Sequence, residues 1–200
     1  MKKIIVSAAI ILSGKFSLAQ ESIFSCYDTL FNHLLNDSVG HVDFMKPWQD
    51  CIRGKQMPDF SVETITGERI ETHQFRGKVL VINLWYMACA PCMAEMPALN
   101  SLVTEYRGKD VVFVAFGTDS KSKLVAEFLP NYKFDFIIVP YDKVVLQKIG
   151  KTGFPTTYII DKKGNVRMAW AGGPTGKEAE TEAYLKAKPV IDELIKEKDE

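Results

Sequence analysis

Neither sign of charge prevails in this sequence: 25 Lys and Arg face 25 Asp and Glu in 200 residues. That balance gives no reason to expect a nucleic acid or an anionic surface as partner. Histidine is scarce, and His33, His41 and His73 are scattered through the sequence, where they read as surface or capping residues rather than ligands. There is no internal repeat and no low-complexity segment. The apolar run at residues 4–12 falls short of the roughly 20 residues that a bilayer span needs, and Lys15 interrupts its continuation. Cysteine is limited to four residues. Cys26 and Cys51 are not spaced as a second knuckle beside Cys89 and Cys92, so a zinc site is disfavoured. A c-type haem would need His at position 93, where this chain has Met93. Neither a metal nor a cofactor is expected.

What remains is a chain with 46% hydrophobic residues, ample for one packed domain with some extension. Its start is basic (Lys2, Lys3), then apolar (4–12), then small at the positions a signal peptidase reads, Ser17-Leu18-Ala19. Residues 1–19 are therefore expected to be a signal peptide. The compartment that follows is the periplasm or cell envelope, with an N-terminal membrane anchor as the alternative. A lipoprotein is disfavoured, because Cys26 lies beyond Gln20 and Glu21 and has bulky Phe24 two positions before it. An exported protein with an even number of cysteines is compatible with disulfides.

Residues 20–57 form a separate N-terminal extension. Ile23, Tyr27, Leu30, Phe31, Leu34 and Leu35 recur at helical spacing, which predicts a helix over 21–36. Trp48, Cys51 and Gly54 follow in a less regular stretch. Cys26 and Cys51 read as a structural disulfide holding this extension to itself, with a second redox pair as the alternative.

From Pro58 to the end the pattern is regular and predicts one domain, 58–200. A hairpin is expected about Thr66-Gly67, and buried strands at 78–84, 111–116 and 134–139. Helices are expected from Cys89 to about residue 106, over 120–129 with Ser120 as cap, and over 144–149. Strands 156–160 and 165–170 pair across Asp161-Lys162-Lys163-Gly164, and a charged amphipathic helix over 178–198 closes the chain. The alternation gives an α/β fold with a central mixed sheet covered on both faces by helices.

The chemistry sits where the strand 78–84 hands over to the following helix. Cys89 falls at that helix's N-terminus, where unpaired N–H groups and the helix dipole favour negative charge. The species favoured there is a thiolate, the form that attacks disulfides. Cys92 is one turn on, close enough to close a ring with Cys89. The pair reads as a dithiol that cycles.

Trp85, the run Cys89-Ala90-Pro91-Cys92, Glu95-Met96-Pro97, and Gly153-Phe154-Pro155 before a strand together resemble the thioredoxin superfamily. More narrowly, they resemble the exported, membrane-associated or periplasmic thiol-disulfide oxidoreductases of the TlpA/ResA type. The likeness covers about residues 58–198 and implies a thioredoxin-like fold with an N-terminal β-hairpin and an inserted αβ unit between 111 and 139. It implies Cys89 as the attacking nucleophile and Cys92 as the buried resolving thiol. It further implies Glu95 as a carboxylate that holds or relays the resolving thiol's proton; a buried position would raise its pKa. Trp85, Phe154 and a cis Pro155 are implied as substrate-binding residues, the backbone of Phe154 being open to strand-like pairing with a substrate chain.

Two departures from the pattern stand out. Ala88 occupies the place of the Trp usual immediately before the first cysteine. Asn83 stands where cytoplasmic thioredoxins bury an Asp, and Asn cannot take a proton. The expected function is exchange of the dithiol with disulfides of partner proteins, as a reductant supplied by a membrane-bound electron donor, by a monomer. Two alternatives are a peroxiredoxin-type thiol peroxidase, whose expected Pro and Thr before the reactive thiol are not supplied, and a non-catalytic binding module on the same fold.

Overall fold

A computed structural model of the protein describes residues 23–36, 44–150 and 152–198. The expected signal peptide at 1–19 and His41 lie outside the described residues, as do the side chains of Phe31, His33, Leu34 and Leu35.

The centre of the molecule is β3 (Val79–Trp85), all seven of whose residues are buried. It pairs in parallel with β4 (Val111–Gly117) and antiparallel with β6 (Thr156–Ile160). With β5 (Ile137–Val139) beyond β4 and β7 (Val166–Ala171) beyond β6, the sheet order is β5-β4-β3-β6-β7. A parallel pair needs a crossover, and α3 (Ala90–Glu105) supplies the one between β3 and β4. The expected mixed sheet is what forms, and a separate antiparallel hairpin of β1 (Ser61–Glu63) and β2 (Arg69–Glu71) precedes it.

Strand side chains alternate between faces, and each face has its own core. On one side Val79, Val81, Trp85, Phe113, Ala115 and Ile159 pack against α3 and the closing helix (Ala179–Lys196). On the other, Leu80, Ile82, Leu84, Val114, Phe116 and Tyr158 meet the N-terminal segment and the hairpin. Parity therefore puts Asn83 of β3 and Thr157 of β6 on the α3 side, polar residues in an apolar layer. The register pairs them directly, Asn83 opposite Thr157.

The N-terminal segment is two helices, α1 (Ile23–Asn36) and α2 (Met45–Ile52). Cys26 and Cys51 join them in a disulfide with a Cα–Cα distance of 5.7 Å. The stretch expected to be irregular is thus helical around Trp48. Pro47 obscures it in the sequence but sits in the first turn, where its missing N–H costs no helical bond. Trp48 is buried edge-on to Tyr158 of β6, centroids 5.9 Å apart. Beyond α2 the backbone docks on the outer strand: Gly54 N–H donates to Val166 O at 2.7 Å and Val166 N–H to Lys55 O at 2.9 Å.

Two other elements differ from expectation. The third strand starts at Ile137, because the backbone just before it bonds to a side chain of α3 instead. Asn100 Nδ2 donates to Lys133 O at 2.9 Å, and Asp135 N–H donates to Asn100 Oδ1 at 2.8 Å. Phe134 and Phe136 still enter the α3-side core. The helix after Ser120 begins as an α turn at Lys121–Lys123, with Ser120 Oγ accepting from Lys123 N–H at 3.3 Å. It then widens into π geometry at Leu124–Phe128. That widening leaves both Leu124 and Phe128 buried, Phe128 against Trp85 at 4.5 Å between ring centroids.

Candidate active site

Cys89 is the N-cap of α3, with Pro91 in the first turn, where its fixed φ suits the helix and its missing N–H would have been unpaired anyway. Cys89 Sγ accepts a hydrogen bond from Cys92 N–H at 3.2 Å. The two sulfurs are bonded, with Cα atoms 5.2 Å apart. In this disulfide form both residues are nearly sealed, 3% and 1% exposed. Exposure therefore does not separate their roles. Cys89 sits at the positive end of the helix dipole, a position that favours a thiolate.

The turn that delivers Cys89 is pinned by the chain after β4. Asp119 Oδ2 accepts from Met87 N–H at 2.8 Å, while Asp119 Oδ1 pairs with Lys123 at 2.8 Å. Thr118 N–H donates to Trp85 O at 3.2 Å. Neither Asp119 nor Thr118 stood out in the sequence, because an acidic residue after a strand looks like an ordinary loop residue.

One turn after Cys92, Glu95 points into the protein and is 3% exposed. Its Oε1 accepts from Asn83 Nδ2 at 2.9 Å, and Asn83 Nδ2 also donates to Thr157 Oγ1 at 3.0 Å. Burial is the main force on the Glu95 carboxyl and lifts its pKa from the usual 4.5 to about 7. The Asn83 hydrogen bond and Lys186 oppose that rise, and Glu182 adds to it. A carboxyl poised near neutrality can accept or give up a proton under ordinary conditions. Thr157 is the member of this group that sequence reasoning missed. Its parity with Ile159 and its place two residues after Pro155 were the signals available.

The Phe154–Pro155 bond is cis. Leu84 pairs with Thr156, which sets this loop at the end of the sheet where β3 runs into the cysteine turn. Phe154 is half-buried and meets Tyr86 edge-on, ring centroids 5.4 Å apart. Pro155 O accepts from Gly172 N–H at 2.8 Å. Around the disulfide lie Tyr86, Met87, Ala88, Ala90 and Phe154, apolar and at least partly exposed.

Trp85 does not belong to that surface. It is 0% exposed, packed on Phe128 and Phe134, and its indole N–H has no hydrogen-bond partner. The parity of β3 turns it into the α3-side core, so it supports the site from beneath instead of touching a docked chain. His73 stands beside Glu71 at 3.2 Å, on the hairpin side of the molecule. Among the described residues no group of three His, Cys, Asp or Glu side chains is arranged to hold a metal ion. No described helix is long and apolar enough to cross a membrane.

This architecture has relatives. The family model described as Redoxin matches residues 52–185. The thioredoxin-like protein YneN of Bacillus subtilis is 39% identical over 66% of this chain and 79% of its own length. The thiol-disulfide oxidoreductase ResA of Bacillus thuringiensis is 33% identical over 66% of this chain and 76% of its own. Among solved structures, a thioredoxin-family thiol:disulfide interchange protein from Chlorobium tepidum superposes with a TM-score of 0.60, covering 72% of this chain and 97% of that one at 19% identity. The thioredoxin domain of a thiol-disulfide oxidoreductase from Bacteroides vulgatus does so with a TM-score of 0.55, covering 70% and 97% at 20% identity. At those identities the two structures speak for the fold, and the closer sequence relatives speak for the family. The chain belongs to the redoxin family within the thioredoxin superfamily and is a thiol-disulfide oxidoreductase of the ResA type.

Proposed function

We propose that the protein reduces disulfides of partner proteins in the cell envelope through the Cys89–Cys92 pair. The reduced dithiol starts the cycle. Cys89 thiolate attacks one sulfur of the partner disulfide, the partner's S–S bond breaks, and its other sulfur leaves as a thiolate that takes up a proton. Cys92 then gives its proton to the Glu95 carboxylate and attacks Cys89 Sγ in the mixed disulfide. The second partner sulfur leaves as a thiolate and is protonated in turn. Two electrons pass to the partner, and Cys89–Cys92 ends as the disulfide. A dithiol donor, expected at the membrane, returns the pair to the reduced form.

The observation that carries this reading is the position of Glu95. A carboxyl buried one turn after the resolving cysteine, held by Asn83 and poised near neutral pH, suits proton transfer and would serve a binding module poorly. The apolar, partly exposed rim of Tyr86, Met87, Ala88, Ala90 and Phe154 favours docking of a polypeptide. The basic-apolar-small N-terminus and the Cys26–Cys51 disulfide favour a compartment outside the cytoplasm.

Trapping tests the mechanism. The Cys92→Ser variant should accumulate mixed disulfides through Cys89, resolved by added dithiol, whereas Cys89→Ser should form none and lose turnover. Equal activity in the two variants would exclude the assignment of roles. Identifying the proteins held by Cys92→Ser in the native envelope names the partners.

A further inference from the structure

We propose that Gly173 is the solvent port of the Glu95 carboxyl, the place where a proton held there exchanges with water; the use of that port in turnover rests on the reading of Glu95 as proton carrier. The two carboxyl oxygens have different surroundings. Oε1 is held by Asn83, while Oε2 accepts no hydrogen bond from a described residue. A buried oxygen with no partner is costly unless water reaches it. Trp85 Nε1 is the sealed, unpartnered polar side-chain atom among the described residues, so Glu95 Oε2 keeps a contact with solvent although the residue as a whole is 3% exposed.

That contact lies under Gly173. A Cβ added there would sit 3.8 Å from Glu95 Oε2 and, its chain neighbours Gly172 and Pro174 aside, meet no other heavy atom within 4 Å. Gly173 itself is exposed. The missing side chain therefore leaves one residue's thickness of open space between a buried carboxyl and bulk water. Its neighbour Gly172 holds the loop in place, with φ of +75° and its N–H on Pro155 O. The port consequently opens beside the cis-proline loop, where a partner chain would dock.

The other neighbours of Glu95 do not offer this route. Asn83 from β3 occupies Oε1, and Thr157 from β6 bonds to Asn83. Cys92 precedes Glu95 by one turn on α3. Lys186 and Glu182 of the closing helix are the charged groups that act on Glu95, and they are ion-paired with each other. In the exchange step Cys92 S–H passes its proton to the carboxylate, and the carboxylic acid releases it to water at Gly173, so the carboxylate is restored and no electrons move.

Two substitutions at one position test this with opposite signs. Gly173 has a φ that ordinary residues adopt and room for a methyl at van der Waals distance, so both variants should fold. Gly173→Ala covers Oε2 and should raise the Glu95 titration midpoint by roughly half a pH unit or more. Gly173→Ser places a hydroxyl donor within reach of Oε2 and should lower it. The readout is the ¹³C carboxyl resonance of Glu95 followed against pH in the full chain, with Glu95→Gln to assign the signal. Opposite shifts in the two variants support the port; an unchanged midpoint in both, or the same shift in both, overturns it. The turnover–pH profile separates the two claims. If Glu95→Gln leaves that profile unaltered, proton carriage by Glu95 fails, and the carboxyl titration still decides the port.

Discussion

Asn83 Nδ2 lies 2.9 Å from Glu95 Oε1, a buried bond between the middle of the central strand and the second turn of the helix that carries the cysteines. It ties the acid to the sheet and leaves Glu95 neutral or charged according to pH. Because burial raises the folded-state pKa to about 7 from 4.5, the native state holds this proton through a range where the unfolded chain has lost it. Stability from this group is therefore complete below about pH 4.5 and declines as pH rises through 7. Glu95→Gln keeps an acceptor for Asn83 and cannot ionise. It should match the parent at pH 4 and exceed it at pH 8 by about 3 kcal/mol, as read by denaturant unfolding at the two pH values.

Asn83→Asp tests the same bond from the other end. Two carboxyls at that separation share one proton, and the donor to Thr157 is lost as well. The variant should already be less stable than the parent at pH 5 and fall roughly 3 kcal/mol further behind by pH 8. Equal loss at both pH values would mean that shape and not charge governs the position.

Asp119 should be a positioning residue for the cysteine turn. Asp119→Ala leaves Met87 N–H without its acceptor and should cost about 1 kcal/mol. It should also move the pH midpoint of Cys89 alkylation, since the N-cap geometry relaxes. Asp119→Asn retains an acceptor oxygen and should restore the midpoint, which a purely structural role for the Lys123 ion pair would not predict.

The Cys26–Cys51 disulfide closes a loop with a sequence separation of 25 residues, which in the chain-entropy model contributes about 3 kcal/mol. Replacing both cysteines by Ala should lower Tm by roughly 10 °C in a chain of this size. Insulin reduction by Cys89 and Cys92 should be unaffected at 25 °C. A fall in turnover without loss of stability would give the second disulfide a redox part.

Much of this was legible in the sequence, for physical reasons that can be located. The β-branched run before the cysteines can only be a buried strand, and Asp161-Lys162-Lys163-Gly164 can hardly be anything but a turn, with Gly164 at φ +86°. Glu95 was picked out through the resemblance to the thioredoxin superfamily, since its spacing to Cys92 alone fits a solvated helix residue equally well. What escaped was decided by contacts between distant segments. Asn100 draws the backbone around Asp135 out of the sheet, Thr157 matters because it faces Asn83 across two strands, and Trp85 turns inward through strand parity that says nothing of surface without knowing which face α3 covers. The helix at 45–52 was hidden because Pro47 is a breaker everywhere except the first turn.

The short backbone pairing of Gly54 and Lys55 with Val166 has a wider consequence. It covers the start of the β7 border of the main sheet, while the opposite border strand has three residues, too few to act as a template for another chain. The main sheet thus offers a second chain little free main chain along its β5 border and at the start of β7.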